Sequence, residues 1–163
     1  MIQTAKVISE IANDTVQLKH SYKATPEQIY QAWVNPQALA QWFGPHSHSS
    51  KVEKFEAEEG GEYQIRMTPV TQDHDCKGDA NGDSVCAGTF VKVIPNQQLV
   101  MTFNWIEGGE DMGETLLTID IIETSTGSDV SLTHERIPTE ELRQAHMGGW
   151  EGTLECLEEF MQS

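Results

Sequence analysis

From about residue 50 to residue 135, apolar side chains recur at every second position in one short run after another, and beyond Thr139 the spacing lengthens to three and four. Alternating runs joined by short turns pair with their chain neighbours, so the first stretch demands an antiparallel sheet. The second demands one long amphipathic helix, packed on a face of that sheet. In EYQIRMT, after the Gly60-Gly61 turn, Tyr63, Ile65 and Met67 share one face while Gln64 and Arg66 share the other. TFVKVI (89–94) and LVMTFNW (99–105) flank Pro95–Gln98 as a hairpin, and TLLTIDIIE and DVSLTHE flank a turn carrying Gly127. SKVEKFEAE is a further strand of mixed quality. The closing helix shows Leu142, His146, Trp150, Thr153 or Leu154, Leu157, Phe160 and Met161 at helical spacing over about six turns.

Upstream the pattern differs. Val16, Leu18, His20 and Tyr22 alternate as a half-buried strand does. Thr25-Pro26-Glu27-Gln28 is a helix start, with a Thr cap, proline at the first helical position and an acid in the first turn. Ile29 and Trp33 form the inward stripe of that helix. Pro36 opens a second short helix, QALAQWF, which Gly44-Pro45 closes. The fold class is therefore α+β, with about six to seven antiparallel strands, two short helices after the first strand and one long C-terminal helix. Residues 1–15 read as an N-terminal extension or a short pre-strand, and 16–163 as a single domain. At 163 residues the chain can bury about 70% of its unfolded surface.

Charge narrows the partners. There are 26 acidic against 10 basic residues, for a net charge of −16. Such a surface repels phosphate backbones and anionic lipid, so neither a nucleic acid nor a membrane is expected as a partner. The excess serves solubility, or else meets a basic protein or a cationic ligand. The N-terminal segment lacks a basic region followed by an apolar run, and no stretch approaches the ~20 apolar residues of a membrane span, which predicts a cytoplasmic protein. Three cysteines, Cys76, Cys86 and Cys156, make an odd count without a secretory signal. Thiols are the expectation, although Cys76 and Cys86 flank one loop and could meet across a hairpin.

Four stretches carry a resemblance. ATPEQIYQAWVNPQALAQWFGP (24–45), GGEYQIRM (60–67), AGTFVKVIPNQQLVMTFNW (87–105) and THERIPTEELRQAHMGGWEGTLECLEEF (133–160) occur in an order similar to that of the activator of heat-shock protein ninety ATPase homologue-like family. That family lies within the START/SRPBCC superfamily, and the resemblance covers about residues 16–161. It implies a helix-grip fold: a curved antiparallel sheet around the C-terminal helix, with an apolar cavity between them. It also implies binding of a small hydrophobic molecule. A co-chaperone-like interaction with a heat-shock chaperone ATPase, and a cyclase- or hydrolase-type enzyme, are the alternatives. The resemblance fixes architecture better than activity.

Residues on the inward faces are the candidate ligand site. Tyr63, Ile65, Met67, Phe90, Met101, Phe103 and Trp105 come from the strands, and Trp33 and Trp42 from the short helices. Leu132 and His134 share a face with Val130, while His146, Gly149 and Trp150 lie on the last helix. Two histidines near one cavity could orient a polar group or exchange protons near neutral pH, so His134 and His146 are the candidates if the protein is an enzyme. Each is otherwise a core or rim histidine bonded to backbone.

Other chemistry finds little support. In QDHDCKGDANGDSVC (72–86) the calcium-loop register ending at Asn81-Gly82 puts Lys77 first and Gly88 where a bidentate Glu is needed. Zinc through His74, Cys76 and Cys86 lacks a fourth ligand and paired spacing. His46-Ser47-His48, after the Gly-Pro corner, reads as a loop feature at the cavity mouth, with contact to a ligand or metal as the lesser alternative. Neither a nucleophile elbow nor a phosphate-binding glycine loop occurs, so no metal or cofactor is expected.

HMGGWEG (146–152) then stands out, because each glycine weakens a helix interior by roughly 1 kcal/mol relative to alanine. Gly149, three residues after His146 and beside Trp150, faces the sheet or cavity in this reading. Its missing side chain permits close backbone approach or leaves room for a ligand. Gly148 and Gly152 have no such account.

Overall fold

The computed structural model describes residues 7–44, 46–70 and 83–162. Eight strands form one antiparallel sheet: β1 (Ile8–Ala12), β2 (Thr15–Tyr22), β3 (His48–Phe55), β4 (Glu62–Pro69), β5 (Ser84–Ile94), β6 (Gln98–Glu107), β7 (Thr115–Thr124) and β8 (Gly127–Glu135). Their order is β1-β2-β8-β7-β6-β5-β4-β3, so the last strand returns to pair with the second. Helices α1 (Pro26–Val34) and α2 (Pro36–Trp42) make the crossing from β2 to the opposite edge, and α3 (Glu140–Gln162) follows β8. The sheet is curved and open.

The strand count exceeds the six to seven expected by one. The additional strand, β1, pairs with β2 through a tight turn in which Asn13 adopts φ 57°. It lies at a sheet edge, where Ser9 and Ile11 are only half-buried and Ile8, Glu10 and Ala12 are exposed. Of the two readings of residues 1–15, the short pre-strand describes Ile8–Ala12, although so weak an apolar alternation left it open.

Elsewhere local chemistry explains the elements. The Thr25 hydroxyl accepts from Gln28 N–H at 3.1 Å, and the Gln28 side chain accepts from Thr25 N–H at 2.9 Å, a reciprocal cap that starts α1. Asn35 ends α1 and caps α2 through its side-chain oxygen. Val16, Leu18, His20 and Tyr22 are all buried on β2, as their alternation requires. At the β7–β8 turn, a Cβ on Gly127 would stand 2.0 Å from the Tyr22 carbonyl oxygen, so only glycine fits.

The core fills the space between the inner sheet face and the helices. Helix α3 packs on β1, β2 and α2, burying Trp150, Thr153, Leu154 and Leu157. The Tyr22 hydroxyl donates to the Leu154 carbonyl at 2.9 Å, tying β2 to the helix. Rings then run edge to face from α1 to α3: Trp33 on Trp42 at 4.7 Å, Trp42 on Phe43 at 6.0 Å, Phe43 on Trp150 at 6.0 Å. Among the described residues no helix is long and apolar enough to cross a membrane.

Candidate functional site

A cavity of about 270 Å³ opens between α3 and the end of the sheet where β4, β5 and β6 meet the loop after β6. Its walls are mostly apolar. Phe43 and Gly44 come from the end of α2, Met67 from β4, Phe103 and Trp105 from β6, and Trp150 from α3. Polar groups are few: His48, Ser84, Glu110, His146 and Thr153.

Helix α3 makes the room. Ala145, Gly149 and Thr153 are spaced by four and all line the cavity, so one row of the helix carries small side chains. A Cβ built on Gly149 would meet nothing within 4 Å. Of the two sequence readings for this glycine, open space describes the site and close backbone approach does not. Gly148 likewise faces open space, but it is exposed.

Six of the residues expected at the site line the cavity together: Met67, Phe103, Trp105, His146, Gly149 and Trp150. The others are core. Trp33, Tyr63, Ile65, Phe90 and Met101 surround, with Phe103, a separate apolar gap of only about 20 Å³. A space that small is the size of one water and holds no ligand. Trp42, Leu132 and His134 are packed away from the cavity, with 2%, 0% and 0% exposure. The physical reason is depth: alternation tells which face a residue takes, but not whether α1 and α2 or the open space lies above it.

Phe43, Gly44, Ser84, Gly109, Glu110, Ala145 and Thr153 also line the cavity and were not expected there. Ala145 was findable, being four residues before Gly149. Gly109 and Glu110 belong to the β6–β7 loop, which has no periodicity to read. His48, assigned to the mouth, does line the wall.

Beside the cavity two indole–imidazole pairs set the electrostatics. Trp105 Nε1–H donates to His146 Nε2 at 2.9 Å, and the His146 Nδ1 lies 2.8 Å from the Leu142 carbonyl. A carbonyl only accepts, so Nδ1 carries the proton and His146 is neutral. Burial also lowers its pKa, against a smaller upward pull from the Leu142 carbonyl. Trp150 Nε1–H donates to His134 Nδ1 at 3.0 Å, while His134 Nε2 lies 2.8 Å from the Thr115 hydroxyl. Since that hydroxyl donates to the Phe103 carbonyl, it accepts from His134 Nε2–H. Burial, and secondarily His146, push His134 down to about 3.

Both imidazoles have both nitrogens engaged, and His134 is fully buried. Phe103 sits among them, its ring 5.0 Å from His134 and 5.4 Å from Trp105. Among the described residues the thiols are not activated: burial pushes Cys86 up to about 12, and burial with Glu159 and Glu155 pushes Cys156 up to about 11. His74, Cys76 and the Asp-rich segment 73–82 lie outside the described residues, as does any pairing of Cys76 with Cys86.

A curved antiparallel sheet holding a long C-terminal helix, with an apolar cavity beneath that helix, defines a helix-grip protein. The chain belongs to the family described as activator of Hsp90 ATPase homolog 1-like protein, whose profile matches residues 23–162. Protein CV1439 from Chromobacterium violaceum is similar at 26% identity and a TM-score of 0.76, over 90% of this chain and 96% of that one. A Staphylococcus epidermidis protein shares the fold at 20% identity and a TM-score of 0.74, over 94% and 93% of the two chains. CalU16 from Micromonospora echinospora shares it at 17% identity and a TM-score of 0.64, over 97% and 86%. A comparison with curated proteins returned no match.

Proposed function

We propose that this protein binds a small apolar or aromatic molecule in the cavity beneath α3, in the cytoplasm and without covalent chemistry of its own. The observation that carries this reading is the space at Gly149. A helix interior gives up stability to a glycine whose Cβ would clash with nothing, and the volume left free is about 270 Å³. That is near the lower end of ligand-site volumes. It is about twice the ~150 Å³ that holds benzene, which suits a ligand of one or two rings.

Four aromatic walls, Phe43, Phe103, Trp105 and Trp150, offer edges and faces to a flat ligand. His48, Ser84 and Glu110 offer hydrogen bonds to a polar substituent. The interaction reading, with a heat-shock chaperone ATPase, draws only on the family description and the acidic excess. An unchanged chaperone ATPase rate on titration would remove it.

The experiment is uptake of the fluorescent probe N-phenyl-1-naphthylamine, followed by displacement with a lipophilic library and native mass spectrometry. One saturable site, lost in Gly149→Leu, is the expected result. Absence of any bound species from both probe and library would end the binding reading.

A further inference from the structure

We propose that His46, Cys156 and Glu159 form a binding site for a zinc-class divalent cation on the C-terminal half of α3. One donor atom from each of the three lies within 4.8 Å of the other two. They converge from two parts of the fold. Cys156 and Glu159 are three residues apart on α3 and so share a face of the helix, while His46 reaches across from the turn between α2 and β3. His46 Nε2 stands 2.9 Å from Glu159 Oε2, so the imidazole is already held over the helix.

The donor set selects the ion. Imidazole nitrogen, thiolate and carboxylate together suit zinc, at about 2.0–2.1, 2.3 and 2.0–2.2 Å. They do not suit calcium or magnesium, which take oxygen ligands. Tetrahedral coordination at those lengths draws the donors to about 3.4–3.7 Å of one another. The side chains of His46 and Glu159 are 51% and 67% exposed, free to rotate that far, while Cys156 is half-buried and fixes the position. On binding, the thiol loses its proton to solvent. One thiolate and one carboxylate then neutralise the dication, and a fourth position stays open. A net charge of −16 raises the local concentration of cations.

The site is separate from the cavity but adjoins it. Thr153 lines the cavity three residues before Cys156, and His48 lines it two residues after His46. A bound ion would therefore clamp the cavity's His48 edge to α3.

The test uses the full chain, stripped with a chelator and titrated with Co²⁺ and then Zn²⁺. One equivalent of Co²⁺ with a near-ultraviolet thiolate-to-cobalt charge-transfer band is expected, and Cys156→Ser should abolish the band. His46→Ala and Glu159→Gln, both at exposed positions, should keep the wild-type circular dichroism and weaken Zn²⁺ binding about tenfold or more. Cys76→Ser should change nothing. A band that survives Cys156→Ser but vanishes in Cys76→Ser would overturn the assignment. So would wild-type affinity in His46→Ala and Glu159→Gln, or no binding of either ion.

Discussion

The Trp150 indole N–H donates to His134 Nδ1 at 3.0 Å, across the junction of α3 with the sheet. Only a neutral imidazole can accept there, because a proton on Nδ1 would confront the indole hydrogen. A histidine that alternation brings inward is thereby held in place as an acceptor. Four consequences of this and related contacts are measurable.

His134 should make the protein acid-sensitive. Its folded-state pKa is held near 3, below its ordinary 6.5, chiefly by burial and then by His146. Between those values the unfolded chain binds the proton and the folded one does not. The contribution is fully present above pH 6.5 and is lost as pH falls toward 3. Its slope reaches up to about 1.4 kcal/mol per pH unit. Urea unfolding from pH 7 to pH 4 should show a shallower loss in His134→Gln than in wild type, by about one proton.

Gly149 should separate stability from capacity. Nothing lies within 4 Å of a Cβ there, so Gly149→Ala should raise unfolding free energy by about 0.5–1 kcal/mol through helix propensity alone. Gly149→Leu should keep the fold and exclude a bound probe by filling the space. Thermal unfolding and probe fluorescence, run on both variants, check the pair of outcomes.

Arg66 holds three carboxylates, with Glu53 at 2.8 Å and Asp83 and Glu107 both at 3.2 Å. The guanidinium hydrogen bond is the first cause holding Glu53 below the usual carboxylate range. Arg66→Gln leaves the three acids facing one another. Its melting temperature should drop at pH 7 in low salt, and the deficit should shrink with added salt or as pH falls below about 4.

His20 is 3% exposed, and its Nε2 meets Glu158 Oε1 at 2.6 Å while its Nδ1 has no hydrogen-bond partner. Glu158→Ala would leave both ring nitrogens buried and unpaired. A loss of about 1–3 kcal/mol is expected, read by chemical denaturation. Glu155→Ala, on an exposed position of the same helix, should cost far less.

Much of the architecture was legible because its causes are local. The Thr25–Gln28 cap, Pro26 and Pro36 at helix starts, and the turns at Asn96 and Gly127 all act within a few residues of themselves. Strand alternation put Tyr63, Ile65 and Met67 on one face, and all three are buried. Strand β1 was legible only as an extension or a short pre-strand, because an edge strand buries too little to impose a pattern. The loop that brings Gly109 and Glu110 to the cavity has no period at all.

Periodicity, turn chemistry and the in-order resemblance thus determined the class of fold and the place of α3 and singled out Gly149, since each is written in the spacing of neighbouring residues. The fold alone decided which inward residues meet open space. Met67 lines the cavity while Ile65, two residues earlier on the same face, lies against the packed core. It also decided what the histidines do. The partners of His134 are Thr115 and Trp150, 19 and 16 residues away on other elements, and those of His146 include Trp105, 41 residues away. A hydrogen bond needs its two atoms within about 3 Å, and only the closed sheet with α3 seated in it brings residues so distant in the chain to that range.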